Sequence, residues 1–518
     1  MSSTSGQNQN LYQALRNSAL RRPDNLALAF EEQRYRYGDF HQRVQQVMAQ
    51  LDRLWSLRKG DRILLAWGNR PEFCEVFFAA LGLGIEVVPF STKLKQCESE
   101  ALVRHIAPRV VLFDAALQDW LGSTENARCI SLTEWKAIVL PAALPELPVP
   151  VSRHDTAVIM FTSGTTGEPK GAVITHGNLL AAVEAYAQNL SLTEADSTIL
   201  AVPIYHITGL SALLALFITL GATIWLQQRF NATEVFKTLR EQNITFLHGS
   251  PTVFILLCQA VRARSAGQPL VYPSLRAIAC GAGHLNEGLI RELKALFPCT
   301  TIHPIYGLTE TTSPATIFPV DVWGSPKCGS SGRPIPGLSV LIRDDHQQPL
   351  AAGQIGHIWL KGDVVIREYW QSNARRASCD ADGWFCTGDL GYLDEEGWLY
   401  VKDRSKDMIN RGGEKIYSLE LENILSTYPG VREVAVIPAP SPVYGEEPVA
   451  FIVPDEQCHL ISEAILDWLK GRIARFKLPA RIIFTRILPR THNGKVNKRQ
   501  LKTRLAASIP SLSMEEKK

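Results

Sequence analysis

The chain has 518 residues, of which 46% are hydrophobic and 20% are charged, and its formal net charge is +3. This composition excludes a disordered or fibrous chain and fits an enzyme of two or more domains. So small a net charge gives no reason to expect a nucleic-acid or membrane surface. The polar first residues lack the features of a signal peptide, and the ten cysteines form no CxxC pair. We therefore expect a cytoplasmic protein with reduced thiols.

Short aliphatic runs alternate with helix-length segments in the first part of the chain, and such runs are typical of parallel strands covered on both faces. This alternation predicts α/β layers, which we expect the Pro-rich connector Pro141–Pro150 to divide into two lobes. The apolar stretch Leu210–Leu226 is shorter than the roughly 20 residues of a membrane helix, so it predicts a buried helix and strand. The predicted strands are Ile63–Trp67, Val87–Phe90, Val110–Phe113, Val158–Phe161, Ala222–Leu226, Ile244–Leu247 and Leu275–Cys280.

From about Gly329 to Lys402 glycines are frequent and the strands are short, which predicts a small antiparallel or β-barrel-like unit. A further small α/β pattern follows the charged tetrapeptide that ends at Lys406. We therefore predict a large N-terminal domain over residues 1–403 and a small α+β C-terminal domain over residues 404–518. Active sites favour such domain junctions.

The segment Thr162–Gly171 follows a predicted buried strand and combines three glycines, four hydroxyl side chains and Lys170. Glycines let the backbone present N–H groups to an anion, and hydroxyls add donors. The segment is not a P-loop, because no Gly-Lys-Ser/Thr sequence ends it. A flexible surface loop is the alternative interpretation.

This segment resembles the phosphate loop of the adenylate-forming superfamily, which holds acyl-CoA synthetases, firefly-type luciferases and the adenylation domains of peptide synthetases. Further segments match in the order expected of that family, almost to the C-terminus. The resemblance implies a ligase that uses ATP and Mg²⁺ to form an acyl-adenylate and then passes the acyl group to coenzyme A. The ATP-binding residues that it implies in this loop are Thr162, Ser163, Gly164, Thr165, Thr166, Gly167 and Lys170.

The segment Tyr306–Glu310 follows a short predicted strand. A Tyr ring can stack on a purine, a Thr hydroxyl can bond a phosphate, and a carboxylate can hold Mg²⁺. The resemblance assigns these roles to Tyr306, Thr309 and Glu310, the last two as catalytic residues. Without it, a strand end leading into a capped helix is the more common structure.

Upstream, the turn Gly281-Ala282-Gly283 matches the small-residue turn that the family places beside the adenine and the acyl group. Gly281 and Ala282 are assigned to ATP binding and Gly283 to the acyl pocket. An ordinary turn between a strand and a helix is the alternative.

Downstream, Asp389 matches the ribose-binding residue of the family, and Arg404 matches an arginine that contacts the nucleotide. Lys406 falls where the family has its interdomain hinge, at which backbone angles change between two states. Taken alone, these residues fit a common Gly-Asp turn and a solvated charged loop.

Gly412 and Gly413 match the face that lets the pantetheine arm of coenzyme A pass close to the backbone. Lys495, after an Asn-Gly turn, matches the catalytic lysine of the family. A cation there lowers the cost of bringing a carboxylate to the α-phosphate. The alternative for this turn is an exposed hairpin tip.

Four residues are assigned to the acyl pocket: His206, Gly209, Gly249 and Gly283. His206 matches the aromatic or histidine gate of the acyl-CoA synthetases, with a catalytic role, although a lone His is more often a core residue. The segment lacks the Asp that binds the amine in amino-acid-activating relatives, which disfavours an α-amino acid substrate. The identity of the acid stays open among medium-chain, aryl and succinylbenzoate-like acids.

Three other functions remain as alternatives to the acid–CoA ligase. The chain could load its adenylate onto the phosphopantetheine of a separate acyl carrier protein. It could be a nucleotide-binding relative without catalysis, which the presence of Glu310, Asp389, Arg404 and Lys495 disfavours. A luciferase-like oxygenase ranks last. No nucleic-acid partner is expected.

Overall fold

The computed structural model describes residues 10–93, 96–121, 124, 126–143, 150–162, 170–265, 272–283, 285–370, 379–455, 458–491 and 495–507. None of the helices in these ranges is long and apolar enough to cross a membrane. The 15 α-helical segments of the described part are α1 Leu11–Arg21, α2 Tyr37–Ala49, α3 Pro71–Gly82, α4 Gln96–Ile106, α5 Gln118–Leu121, α6 Leu132–Ala137, α7 His176–Asn189, α8 Ile207–Gly209, α9 Leu216–Leu220, α10 Ala232–Glu241, α11 Pro251–Ser265, α12 Glu287–Leu296, α13 Ser418–Ser426, α14 Ser462–Lys470 and α15 Lys498–Ala507.

A six-stranded sheet fills the first layer of the large N-terminal part, in the order β6-β5-β3-β4-β7-β8. All of its neighbouring strands are parallel except β7 and β8, which form an antiparallel pair. Its strands are β3 Arg62–Ala66, β4 Glu86–Pro89, β5 Val110–Phe113, β6 Arg128–Ser131, β7 Thr156–Thr162 and β8 Lys170–Thr175.

A nine-stranded sheet forms the second layer, in the order β15-β14-β13-β12-β11-β9-β10-β1-β2. Its strands are β1 Leu26–Phe30, β2 Gln33–Arg36, β9 Ser197–Leu200, β10 Thr223–Leu226, β11 Phe246–Gly249, β12 Ala277–Cys280, β13 Thr301–Tyr306, β14 Thr316–Ile317 and β15 Arg333–Pro334.

The prediction that Pro141–Pro150 separates the two α/β lobes is wrong. β1, near the start of the chain, pairs with β10 of the second sheet, whereas β7, after the connector, returns to pair with β4. The apolar strand β1 buries its middle residues at that place in the second sheet. Which sheet a strand joins therefore depends on burial against residues distant in sequence, and a local change in composition does not reveal this.

The apolar stretch Leu210–Leu226 forms a buried helix followed by a strand, as predicted. A π-helical segment, Leu210–Ala215, joins α8 to α9, and Gly221 ends the helix with a φ of +83° before β10 begins. That left-handed conformation favours glycine. The stretch packs into the main hydrophobic core rather than facing a bilayer.

The unit predicted as antiparallel or barrel-like is a four-stranded antiparallel sheet, with β16 Leu338–Arg343, β17 Gly356–Gly362, β18 Phe385–Leu393 and β19 Leu399–Arg404. A five-stranded sheet follows, with β20 Ile409–Arg411, β21 Glu414–Ile416, β22 Val431–Ser441, β23 Gly445–Pro454 and β24 Arg481–Phe484. We call this last sheet, together with α13, α14, α15 and the described residues that connect them, the C-terminal module. Residues 405–408, which include Lys406, join it to β19.

Candidate active site

Three residues predicted to bind the nucleotide meet where the nine-stranded sheet approaches the four-stranded sheet. Tyr306 ends β13, and its hydroxyl donates a 2.7 Å hydrogen bond to Oδ2 of Asp389 on β18. Asp389 pairs in register with Arg404 on β19, and Arg404 Nε lies 3.7 Å from Asp389 Oδ1. We call Tyr306, Asp389 and Arg404 the nucleotide cluster.

The electrostatics of the nucleotide cluster follow from its burial. Burial raises the pKa of Asp389, and the nearby Arg404, Tyr306 and Lys495 partly offset that shift. Burial, and then Asp389, raises the pKa of Tyr306, so its hydroxyl stays a neutral donor. An ionised Asp389 has two acceptor oxygens, a chemistry that suits the vicinal hydroxyls of a ribose.

Lys495 comes to this cluster from the C-terminal module. The residue is exposed, yet desolvation by the surrounding protein, and then Arg404, lower the pKa of its ammonium group to about 8. Asp389 and Glu310 attract the charge and oppose that shift. The structure therefore brings Lys495, Asp389 and Glu310 into one electrostatic neighbourhood, although they come from three separate segments.

Glu310 lies in a tight loop after β13. Gly307 permits this loop, because a Cβ there would overlap the carbonyl oxygen of Ser313. The Tyr369 hydroxyl donates a 2.8 Å hydrogen bond to Glu310 Oε1, and Lys170 Nζ lies 5.5 Å from the centre of the Tyr369 ring. Thr309, next to Glu310, begins a short 3₁₀ turn in the same loop.

A magnesium ion fits the donor set around Glu310. Mg²⁺ in nucleotide sites takes one or two carboxylates and completes its shell with phosphate oxygens and water. No group of three or more His, Cys, Asp or Glu ligands occurs in the described ranges, so the protein would supply only part of the shell. The Glu310 carboxylate is the group that would hold the ion.

The predicted phosphate loop connects β7 to β8. Thr162 and Lys170 are opposite each other in that antiparallel pair, and α7 begins shortly after β8. Ser163, Gly164, Thr165, Thr166 and Gly167 lie outside the described residues.

Gly281 and Ala282 follow β12, the parallel neighbour of β13. A Cβ on Gly281 would lie 3.1 Å from the carbonyl oxygen of Ile305, and Ala282 has a φ of +60°. The predicted adenine turn is thus beside Tyr306.

Each of the four residues assigned to the acyl pocket is closely packed against neighbouring groups. A Cβ on Gly209 would overlap the carbonyl of Pro203, and one on Gly249 would lie 3.0 Å from Val253. His206 packs against Tyr205, with 4.7 Å between ring centres. A Cβ on Gly283 would lie 3.2 Å from Pro251.

A buried polar group that the sequence interpretation missed lies next to Gly281. His248 contacts the Tyr186 hydroxyl at 3.2 Å through Nε2, and the same hydroxyl lies 2.9 Å from Ser313 Oγ. Burial lowers the pKa of His248 to about 3, so the imidazole is neutral. No local motif marks it, because its partners are distant in sequence.

The predicted coenzyme A face lies on the turn between β20 and β21. Gly412 and Gly413 have φ values of +60° and +94°, and the Gly412 N–H donates a 2.8 Å hydrogen bond to the carbonyl of Tyr444. The Arg411 guanidinium stacks 3.8 Å from the centre of the Tyr444 ring. The turn is exposed, and these contacts are internal to the C-terminal module.

The predicted hinge segment adjoins a buried polar network. The Asp403 carboxylate accepts hydrogen bonds from the backbone and hydroxyl of Ser418, and Lys498 donates to the same hydroxyl at 2.7 Å. Burial raises the pKa of Asp403 to about 6, and burial lowers that of Lys406. The sequence interpretation assigned no role to Ser418 or Lys498, whose contacts form only on folding.

Comparisons with known proteins agree with this geometry. Residues 15–370 match the family described as AMP-binding enzyme, and residues 420–495 match the AMP-binding enzyme C-terminal domain. A long-chain-fatty-acid–CoA ligase of Mycobacterium tuberculosis is 31% identical over 475 residues, which cover 88% of this chain and 90% of that protein. A 2-succinylbenzoate–CoA ligase of Bacillus velezensis is 33% identical over 483 residues, which cover 92% and 95%.

Solved structures with the same fold hold relevant ligands. ATP-bound MatB from Rhodopseudomonas palustris has a TM-score of 0.87 and 27% identity, and the match covers 96% of this chain and 98% of that one. The o-succinylbenzoate coenzyme A synthetase of Bacillus subtilis, in complex with ATP and a magnesium ion, has a TM-score of 0.84 and 30% identity, with coverage of 96% and 99%.

Proposed function

Because the chain belongs to the family of AMP-binding enzymes, we propose that it joins a carboxylic acid with an apolar, uncharged tail to coenzyme A. The reaction takes place at a site shared by the large N-terminal part and the C-terminal module. Its relatives are acid–CoA ligases, and the chain is an AMP-forming ligase of that kind. The observation that carries the residue assignment is the meeting of Lys495, Asp389 and Glu310 from three segments.

The reaction has two half-reactions. In the first, a carboxylate oxygen of the acid attacks the α-phosphorus of ATP, and the bond to pyrophosphate breaks. In the second, the thiolate of coenzyme A attacks the acyl carbon of the adenylate, and AMP leaves with the electron pair of the broken C–O bond. Neither step needs a covalent bond to the protein.

In our assignment, Gly281, Ala282 and Tyr306 hold the adenine, and Asp389 accepts the ribose hydroxyls with Arg404 beside it. Lys495 stands between the incoming carboxylate and the α-phosphate and offsets their repulsion. Mg²⁺ held by Glu310 would supply positive charge to the phosphates.

The polar residues next to this site complete it. We assign Thr309 to a phosphate contact and Thr162 and Lys170 to the two ends of the phosphate loop. Lys406 is the position about which the C-terminal module turns after the first half-reaction. That rotation withdraws Lys495 and brings the Gly412–Gly413 turn to the adenylate.

The acid class follows from the described lining of the pocket. The groups that border Gly209, Gly249 and Gly283 are Pro203, Ile204, Val253, Phe254 and Pro251, and the neutral imidazole of His248 borders the neighbouring Gly281. A cavity of about 20 Å³ behind Val253 is lined mainly by apolar side chains. A second carboxylate on the acid would lose hydration against these apolar groups, so aliphatic and aryl monoacids fit better than 2-succinylbenzoate.

The location and the acyl acceptor belong to the same proposal. We place the enzyme in the cytoplasm, because none of the nine cysteines whose side chains are described is in a disulfide, as expected in a reducing compartment. Coenzyme A is the acceptor that the relatives use. A separate acyl carrier protein, with the same phosphopantetheine thiol, is the competing acceptor that the experiment must distinguish.

The test is pyrophosphate release with ATP and Mg²⁺ over a panel of acetate, octanoate, palmitate, ferulate and 2-succinylbenzoate, with and without coenzyme A. We expect release to depend on an apolar monoacid and to turn over repeatedly only with coenzyme A. Preference for 2-succinylbenzoate would overturn the acid class. Turnover only with a phosphopantetheinylated carrier protein would overturn the choice of acceptor.

A further inference from the structure

One side chain outside the assigned site joins the two parts of the chain. Arg490, in the C-terminal module, donates through Nη1 to Thr252 Oγ1 at 2.8 Å. Its Nη2 lies 2.5 Å from Oε2 of Glu433, which is on β22 of the same module. Thr252 belongs to the large N-terminal part, in the first turn of α11. The guanidinium therefore bridges the two parts, with a described partner in each.

Arg490 and Lys495 are on opposite arms of one short hairpin. Arg490 pairs with Val496 as a β-bridge, and the Thr491 N–H donates a 2.8 Å hydrogen bond to the carbonyl of Lys495. The Asn497 N–H donates to the carbonyl of Pro489 at 2.7 Å. Since these bonds fix the two arms to each other, anchoring Arg490 also anchors the backbone that carries Lys495.

The anchor point is next to the acyl pocket. Thr252 stands between Pro251, which borders Gly283, and Val253, which borders Gly249. It is held at the start of a helix whose apolar face lies in the core of the second layer. The hairpin thus docks on a rigid wall of the pocket rather than on a flexible loop.

We infer that Arg490 is a positioning residue, and that its bond to Thr252 is a latch that holds Lys495 in place for adenylate formation. The inference rests on the proposed function, because it takes Lys495 as the residue of the first half-reaction. Glu433 turns with the module and keeps Arg490 oriented in both arrangements. The bond to Thr252 crosses between the two parts, so it exists only while Lys495 is in the site.

This arrangement predicts an asymmetric effect. A bond between a charged donor and a hydroxyl, when lost, lowers the population of the state it supports. Removing the Thr252 hydroxyl should slow adenylate formation about tenfold and leave thioester formation from the isolated adenylate unchanged. The effect should appear in kcat, because Thr252 is not assigned to the binding of ATP or acid.

The experiment compares Thr252→Val, which keeps the shape and removes the acceptor, with Thr252→Ser, which restores it. Thr238→Val is the matched control, because the described contacts of the Thr238 hydroxyl, to the carbonyl of Glu234 in its own helix α10 and to the side-chain amide of Gln227, both lie within the large N-terminal part. ATP–pyrophosphate exchange with the fastest acid of the panel reports the first half-reaction. Conversion of the synthetic adenylate of that acid by coenzyme A reports the second.

A second measurement needs no acid. Spin labels on Cys299 and Cys458, both exposed, report the distance between the two parts in the presence of ATP and Mg²⁺. We expect Thr252→Val to shift the distance distribution away from that of the wild type, and Thr252→Ser and Thr238→Val to leave it unchanged. An unchanged distribution in Thr252→Val would overturn the latch.

The outcomes separate the latch from the assignment of Lys495. If Lys495→Ala stops exchange and Thr252→Val does not slow it, the latch is wrong and the proposed function stands. If Lys495→Ala leaves exchange intact, the proposed function fails first. Glu433→Gln tests whether Arg490 has only a structural role. If exchange is slow in Glu433→Gln and normal in Thr252→Val, Arg490 serves only the fold of its own module, and the latch is wrong.

Discussion

Asp389 and Tyr306 lie on strands of two sheets in the large N-terminal part, whereas Lys495 lies in the C-terminal module. The first pair is joined by a 2.7 Å hydrogen bond and is fixed by strand register. In our proposal, the position of Lys495 depends on the latch at Thr252 and on the segment that joins β19 to β20. Nucleotide binding would then be built into the large N-terminal part, while the catalytic charge would be supplied by a module that can move away.

The largest expected effect is that of a substitution at Lys495, in the C-terminal module. Lys495→Ala removes the cation between two anions, and we expect ATP–pyrophosphate exchange to fall by about a thousandfold. Lys495→Arg should keep part of the rate, because it retains the charge. Lys470→Ala, which removes an exposed lysine of the same module paired with Asp467, is the control. Exchange within tenfold of the wild type in Lys495→Ala would contradict the assignment.

The next largest effect is expected at Asp389, in the large N-terminal part. Asp389→Ala removes the acceptor of the ribose hydroxyls, and we expect kcat/KM for ATP to fall about a hundredfold. Unlike Lys495→Ala, it should also slow the thioester step, because AMP stays bound through both half-reactions. Steady-state kinetics with ATP varied, together with conversion of the synthetic adenylate, measures both. A normal thioester rate would indicate that Asp389 does not hold the ribose.

A substitution on the exposed turn tests the opposite face of the module. Gly413 has a φ of +94° with open space at its Cβ position, so Gly413→Val adds strain and bulk where the pantetheine arm should pass. We expect thioester formation to fall about thirtyfold while pyrophosphate exchange stays normal. Gly397→Val is a matched control, since Gly397 has a φ of +80° and equally open space. Equal loss in both variants would make the effect one of strain alone.

The pH dependence sharpens the contrast further. The pKa of Lys495 is about 8, so the side chain is a cation below that pH and becomes neutral above it. Adenylate formation, measured as kcat/KM, should therefore fall by about tenfold per pH unit above pH 8. Thioester formation should instead rise, because more of the thiol is ionised. In Lys495→Arg the fall should move beyond the measurable range, and a fall at the same pH would exclude Lys495 as its cause.

The smallest effect concerns the support of Glu310. Tyr369→Phe removes the hydroxyl that donates to Glu310 Oε1 and keeps the ring near Lys170. We expect about a fivefold loss of adenylation, with more Mg²⁺ needed for half-maximal rate. Titration of Mg²⁺ at saturating ATP checks this, and an unchanged Mg²⁺ dependence would leave Tyr369 without a role in orienting Glu310.

The α/β layers, the antiparallel unit and the helix and strand of Leu210–Leu226 could be predicted from the sequence, because each depends on a local pattern. The prediction that the connector Pro141–Pro150 divides the two lobes was wrong, since the pairing of β1 with β10 depends on contacts across almost two hundred residues. Tyr306, Asp389, Arg404 and Lys495 were found through motifs, and the structure places them together. Their individual roles remain proposals.

The missed residues share a physical reason. Tyr369, Thr252 and His248 belong to no motif, and each gains its position only when distant segments pack. Thr252 is an ordinary helix-start threonine until Arg490 reaches it from the C-terminal module. Residues that support a site from a distance are therefore the ones that a single sequence conceals.

The central claim is that Lys495 serves adenylate formation and the Gly412–Gly413 turn serves thioester formation. It is tested most directly by measuring both half-reactions in Lys495→Ala and in Gly413→Val. Exchange would be followed with ATP, pyrophosphate and the fastest panel acid, and thioester formation with its synthetic adenylate and coenzyme A. We predict that Lys495→Ala loses exchange and keeps thioester formation, and that Gly413→Val does the reverse. Equal loss of both half-reactions in both variants would contradict the account.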